Sequence, residues 1–126
     1  MKKPDFSSFK LLVAEDDFDN FILIKSLLLP TRITLIHAPN GAEAVAQCLQ
    51  HTFDLVIMDA KMPELDGFNA TREIKKITPD VPVIMLTAFA SHLSLKDAVD
   101  AGCNDYLAKP IDFDILYATL TKWLIG

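Results

Sequence analysis

The chain has 126 residues, one domain at the usual ~150 residues per domain. Hydrophobic residues make up 51% and charged residues 23% of it, which excludes a disordered or fibrous chain. A net charge of −5 argues against a nucleic-acid or anionic-membrane surface, since both need a basic face. Area scaling puts the unfolded chain near ~20,000 Å² and the folded one near ~6,700 Å², so a real core is within reach without disulfides or a structural metal.

Met1-Lys2-Lys3 is basic, but Pro4, Asp5, Ser7 and Ser8 follow where the apolar stretch of a signal peptide begins, so no leader and a cytoplasmic location are expected. Residues 1–8 read as an N-terminal extension and 9–126 as the domain. Phe9–Ala14 predicts a strand. A helix follows from about Asp17 to Leu29, ended by Pro30 and apolar around much of its circumference, so some of Phe21, Ile22, Leu23 and Ile24 must face away from any sheet. This longest apolar window falls far short of the roughly 20 residues that span a bilayer, so no membrane insertion is expected. Ile33–Ala38 reads as a second strand. Asn40 then caps a helix with Ala42, Val45, Ala46 and Leu49 at i, i+3, i+4, i+7. Leu55–Met58 is a third strand, before a helix striped by Phe68, Thr71, Ile74 and Ile77 and stopped by Pro79. Val83–Leu86 is the fourth strand, followed by a stripe of Leu95, Ala98 and Val99 that Gly102 closes at a C′ position. Asp105–Leu107 is the fifth. Asp112 opens a last helix lined by Phe113, Leu116, Tyr117, Leu120 and Trp123 or Leu124. Cys48 and Cys103 form no C-x-x-C, and His37, His51 and His92 are scattered, so neither a disulfide nor a zinc framework is expected.

Five strands alternating with five helices predict an α/β fold with a doubly wound parallel sheet. The nearly continuous Val, Ile and Leu runs suit strands buried on both faces. In such sheets the chemistry lies beyond the carboxyl ends of the strands. There the sequence places Glu15, Asp16 and Asp17 after strand 1, Asp59 after strand 3, Thr87 after strand 4, and Lys109-Pro110 after strand 5. Singly, these also fit an acidic loop at a helix start, a turn residue or a stray hydroxyl. Together they bring acids, a hydroxyl and an amine to one edge. Two carboxylates 4 Å apart repel by roughly 4 kcal/mol at an effective dielectric of 20, and Glu15, Asp16 and Asp59 against Lys109 leave a pocket of about −2. An oxygen-only donor set selects Mg2+, or Mn2+, over zinc. Phosphoryl transfer uses this arrangement: an Asp nucleophile, a divalent cation on the phosphoryl oxygens, and Lys and hydroxyl groups for the remaining charge.

The segments Leu11-Leu12-Val13-Ala14-Glu15-Asp16-Asp17, Asp54-Leu55-Val56-Ile57-Met58-Asp59, Met62-Pro63 with Asp66-Gly67, Pro82-Val83-Ile84-Met85-Leu86-Thr87-Ala88 and Asp105-Tyr106-Leu107-Ala108-Lys109-Pro110 carry a family resemblance. In this order and spacing the chain resembles a receiver (response regulator) domain of two-component signalling over about Phe9 to Leu124. Asn20, the Ala70-Thr71-Arg72-Glu73-Ile74 segment and Ala101-Gly102-Cys103-Asn104 give it the flavour of receivers serving hybrid histidine kinases.

The resemblance implies a flavodoxin-like strand order 2-1-3-4-5 and a phosphoacceptor domain, not an enzyme for external substrates. It implies Asp59 as phosphoacceptor, Asp16 as a direct magnesium ligand, Glu15 as a ligand through water, and Asp59 with the Lys61 backbone carbonyl completing the metal site. Thr87 matches the hydroxyl that turns toward the phosphoryl group, Lys109 its ion-pair partner, Tyr106 the switch aromatic, and Lys109-Pro110 a peptide bond often cis in the family. Implied partners are a histidine kinase or histidine phosphotransfer domain, with the exposed remainder of helix 1 as a docking face. A homodimer through helix 4, strand 5 and helix 5 is a further expectation. Lys61 and Phe89 stand where side chains screen the phosphoryl group, so slow hydrolysis is expected.

Two other readings share this layout. A haloacid-dehalogenase-like phosphatase with Asp59 as nucleophile needs a second Asp two residues on, where Lys61 stands. A flavodoxin-like electron carrier needs a Ser, Thr and Gly phosphate loop, and Glu15-Asp16-Asp17 repels phosphate.

Overall fold

The structure, a computed structural model, describes residues 4–62, 64–88 and 92–126, the side chains of 92–95 excepted. The expectations placed on Pro63, Phe89 and the Leu95 side chain lie outside the described residues. The strands are β1 (Lys10–Ala14), β2 (Thr34–Ala38), β3 (Leu55–Asp59), β4 (Val83–Thr87) and β5 (Asp105–Ala108). The helices are α1 (Phe18–Leu28), α2 (Gly41–Gln50), α3 (Gly67–Ile77), α4 (His92–Ala101) and α5 (Phe113–Leu124), with a 3-10 turn over Leu29–Thr31. The strands form one parallel sheet in the order β2-β1-β3-β4-β5. The order reverses between β1 and β3, which is where a doubly wound sheet opens a crevice.

Strand alternation divides the core. Leu11 and Val13 of β1, Leu55 and Ile57 of β3, and Ile84 and Leu86 of β4 pack with Phe21, Ile24 and Leu28 of α1 and Leu116 and Leu120 of α5. Their neighbours Leu12, Val56, Met58, Val83 and Met85 face Ala44, Cys48, Ala70, Ile74 and Ala98 of α2, α3 and α4. Side chains two apart share a face, so a continuous apolar run supplies both layers at once. The chain exposes 6785 Å², in line with the expectation from its mass. Among the described residues no helix is long and apolar enough to cross a membrane.

The helix ends follow the sequence signals. Asp17, Asn40, Asp66 and Asp112 each accept backbone N–H bonds at an N-cap, satisfying donors that have no partner inside the helix. Gly102 has φ +99°. Its N–H donates to Val99 O, and Cys103 N–H to Ala98 O, both at 3.0 Å. That is a Schellman closure, and it requires the left-handed conformation that glycine adopts at little cost.

Three helix faces differ from the expectation. In α2 the buried residues are Gly41, Ala44 and Cys48, whereas Ala42 is exposed and Leu49 is 68% exposed. The cause is close approach: a Cβ at Gly41 would lie 2.0 Å from Leu65 O, so this interface takes small residues and hydropathy misranks it. In α4 Ala98 and Ala101 are buried but Val99 is exposed, so among the described side chains of this helix the buried ones are small alanines. Phe113, the first residue of α5, is also exposed, its ring 6.5 Å from that of Tyr117. Phe6, assigned to an extension by the sequence, is fully buried in the α1/α5 layer, and its N–H donates to Thr31 O at 2.8 Å.

Candidate functional site

The backbone register builds the site. β1 pairs Ala14 with Met58 of β3, so the next residues, Glu15 and Asp59, lie side by side. β3 pairs Asp59 with Leu86, one residue before Thr87, and β4 pairs Thr87 with Ala108, one residue before Lys109. Asp59 and Thr87 are thus the last residues of their strands, not the first of the following loops. Lys109 N–H donates to Thr87 O at 2.9 Å, and the Lys109–Pro110 peptide is cis. Four positions spread over nearly a hundred residues of chain converge at the β1/β3 reversal.

They line a cleft of about 340 Å³ formed by Glu15, Asp16, Asp17, Asn20, Asp59, Ala60, Lys61, Phe68, Thr87, Ala88 and Lys109. Asp59 is buried. Its Oδ2 accepts from Lys109 Nζ at 2.9 Å and its Oδ1 from the Lys61 N–H at 3.1 Å. Lys109 Nζ also stands 3.6 Å from Glu15 Oε1. Burial alone would lower the Lys109 ammonium, yet the hydrogen bond and charge of Asp59, with Glu15, hold it above its ordinary value. Thr87 is buried at the cleft wall. Asp17, one of the three acids after β1, is committed to capping α1.

Glu15 is the anomaly. It is fully buried, and neither carboxylate oxygen has a hydrogen-bond partner. Burial, then the adjacent Asp59, push its carboxyl up to about 8. Carboxylate oxygens of Glu15, Asp16 and Asp59 all lie within 4.8 Å of one another. An unsatisfied buried carboxylate costs stability, and three converging acids with one ammonium are short of positive charge. A hard divalent cation supplies the missing charge, and the oxygen donors fit it. The residues present therefore suit a metal of this kind.

Tyr106 lies away from the cleft. It is 44% exposed, in a groove lined by Ala98, Val99, Cys103, Asn104 and Asp105. Of the α1 residues expected to face outward, Ile22 and Leu23 do so and Phe18 joins them, whereas Phe21 and Ile24 are core. His51 is exposed at the end of α2. His37 is outside the Glu15, Asp16 and Asp59 cluster, but its Nε2 lies 2.8 Å from the Glu15 backbone carbonyl. Sequence reading passed over it because a lone histidine on an edge strand carries no periodic or spacing signal.

A doubly wound domain with an acidic, lysine-closed crevice at its strand reversal has the oxygen donors and the ammonium that phosphoryl chemistry uses. Comparison with known proteins is more specific. A sequence model of the response regulator receiver domain matches residues 11–121. The chain is 40% identical over 114 residues to the transcriptional regulatory protein ZraR of Salmonella typhimurium, covering 90% of this chain and 26% of that protein. The chain thus spans about a quarter of the length of such curated relatives. Among solved structures, the receiver domain of sensor histidine kinase PA1611 from Pseudomonas aeruginosa is similar at a TM-score of 0.88 and 33% identity, covering 94% of this chain and 98% of that one. It was solved with a magnesium ion coordinated in the active site cleft. The receiver domain of Saccharomyces cerevisiae Ssk1, in complex with the histidine phosphotransfer protein Ypd1, is similar at a TM-score of 0.87 and 29% identity, covering 97% of this chain and 90% of that one. The chain belongs to the response regulator receiver family of two-component signalling.

Proposed function

We propose that Asp59 is the phosphoacceptor of this receiver and that the domain works as a phosphorylation-driven switch. The observation that carries this reading is the placement of Asp59, a buried carboxylate gripped by Lys109 and the Lys61 amide beside two further acids. Its carboxylate oxygen forms a bond to phosphorus as the donor's P–N bond to histidine breaks, and the electron pair leaves with the imidazole. Glu15, Asp16, Asp59 and the Lys61 carbonyl would hold Mg2+, with Mn2+ as the alternative and Glu15 acting through water. The bound ion supplies charge neutralisation for the transferring phosphoryl oxygens. Lys109 and Thr87 supply the rest: an ammonium and a hydroxyl donor facing the same volume. The test is incubation with acetyl phosphate, which expects a mass increase of one phosphoryl group in Mg2+ and none in EDTA.

The metal reading predicts opposite signs for one substitution. In EDTA at a pH above about 8, where the Glu15 carboxyl is ionised, Glu15→Gln melts higher than the native chain, because a buried charge lacking hydrogen bonds is gone. Mg2+ at a hundredfold excess over Kd stabilises the native chain by about 2.7 kcal/mol, and Glu15→Gln and Asp16→Asn lose most of that gain. Calorimetric melting with and without Mg2+ measures both.

Phosphorylation adds roughly one negative charge at Asp59, drawing Thr87 toward the new oxygens and giving Tyr106 room to turn inward. The surface of α4, β5 and α5, where Val99 and Tyr106 are exposed, is then the output and the candidate homodimer face. Thr87→Ala is expected to accept the phosphoryl group while its α4–β5 amide resonances stay at their unphosphorylated positions. Native-like shifts in that variant would remove Thr87 from the switch. Phe18, Ile22 and Leu23, exposed on α1 beside the cleft, form the proposed docking face for the helix that carries a donor histidine. The PA1611 and Ssk1 likenesses support the cation and partner assignments.

A further inference from the structure

His37 lies outside the acidic cleft, yet it holds the backbone of the segment that carries two of the cleft's acids. β2 runs in register with β1, pairing His37 with Val13 and Ala38 with Ala14. Just past β1, Glu15 N–H donates to Ala38 O at 3.0 Å. The Glu15 carbonyl accepts from His37 Nε2 at 2.8 Å. A carbonyl oxygen can only accept, so this nitrogen carries the hydrogen. Both backbone groups of Glu15 are therefore tied to the edge strand.

The imidazole is itself held. It stacks on Phe21 with centroids 4.0 Å apart and planes 15° from parallel, and Phe18 stands 6.1 Å away. Phe21 is a buried residue of α1, the helix that begins directly after Asp17. The ring thus sits between β2 and the first turns of α1, and its nitrogen fixes the one peptide that joins Glu15 to Asp16. Asp16 is exposed on a loop, and a loop carboxylate free to wander loses entropy when an ion orders it. A peptide already fixed has lost that freedom beforehand.

We propose that His37 is a positioning residue for cation binding: its Nε2–H fixes the Glu15–Asp16 peptide, so that the Asp16 carboxylate is presented to Glu15 and Asp59. The inference rests on the proposed cation site. Groups that orient metal ligands from outside their shell are worth about 10–100-fold in affinity.

Two substitutions separate the hydrogen bond from the stacking. His37→Phe keeps a flat ring for Phe21 but has no donor. His37→Gln keeps an amide N–H at a similar reach but has no ring. Calorimetric titration of the metal-free proteins with Mg2+ is expected to show His37→Phe binding about tenfold more weakly, and His37→Gln within about threefold of native. Acetyl phosphate labelling of His37→Phe should need more Mg2+ for half-maximal rate and reach the native plateau. Equal Mg2+ affinity in His37→Phe and the native chain overturns the inference. So does a His37→Gln protein as weak as His37→Phe, which would mean packing alone. Asp16→Asn marks the difference from the underlying reading. If it weakens Mg2+ binding and His37→Phe does not, only the His37 inference falls; if Asp16→Asn binds as well as native, or the native chain binds no Mg2+, the site assignment falls with it.

Discussion

Asp59→Asn is expected to fold and to take up no phosphoryl group from acetyl phosphate and Mg2+. The amide keeps the size of the carboxylate and an oxygen for the Lys61 N–H, which lies 3.1 Å away in the native chain. Its NH2 group, however, then faces the Lys109 ammonium, where the native oxygen accepts at 2.9 Å. It has no anionic oxygen to attack phosphorus, and one of the three carboxylates converging within 4.8 Å is gone. The loss is therefore complete, not fractional. Stability should move by no more than about 1 kcal/mol, because losing the Lys109 contact is offset by less repulsion with Glu15 and Asp16, and Lys109 still has Glu15 at 3.6 Å. Circular dichroism and intact mass on the same sample check both halves. A labelled, folded Asp59→Asn protein would place the acceptor elsewhere.

Phe6→Ala is expected to destabilise the domain by about 3–5 kcal/mol, the usual cost of emptying a buried phenylalanine site. Phe6 is fully buried against the α1/α5 side of the sheet and meets Phe9 edge-on, with centroids 6.1 Å apart. Its amide is bonded to Thr31 O and its carbonyl to Phe9 N–H. A second tie lies beside it, Asp5 to Arg32 at 3.0 Å, but that pair is exposed and such pairs contribute about 0–1 kcal/mol. Against a total stability of ~5–15 kcal/mol, the Phe6 loss lowers the melting temperature by on the order of 10–20 °C. Phe113→Ala, at a residue 50% exposed, should change stability by no more than about 1 kcal/mol. Scanning calorimetry on the pair decides whether the folded unit begins before Phe9. Equal melting of Phe6→Ala and the native chain would return residues 1–8 to a dispensable extension.

The sheet and the cleft were legible in the sequence for one reason: strands buried on both faces are written as apolar runs, and the residue that interrupts each run marks the strand end. Asp59, Thr87 and Lys109 stand out in this way. Two caps were equally plain, because Asn40 and Asp112 each precede a helical pattern, whereas the capping by Asp17 and Asp66 is seen only in the structure. The α2 face was misread because hydropathy ranks Leu49 above Ala44 and Gly41, whereas the space beside Leu65 admits only small groups. Phe6 was hidden among Pro4, Asp5, Ser7 and Ser8, where one aromatic has no periodic partner. His37 was hidden more deeply. Its bond to Glu15 and its stack on Phe21 depend on strand register and helix placement, neither of which leaves a mark on the edge strand's own residues.

The most direct test of the account is to trap the acyl phosphate chemically. Borohydride delivers two hydrides to an acyl phosphate, the first expelling phosphate to leave an aldehyde and the second reducing the aldehyde to an alcohol, so a phosphorylated Asp becomes homoserine. The chain treated with acetyl phosphate and Mg2+, then reduced, digested and sequenced by mass spectrometry, should carry homoserine at position 59 and nowhere else, and none when EDTA replaces Mg2+. Homoserine at position 16 or at another acid, or an unmodified Asp59 in folded protein, would contradict it.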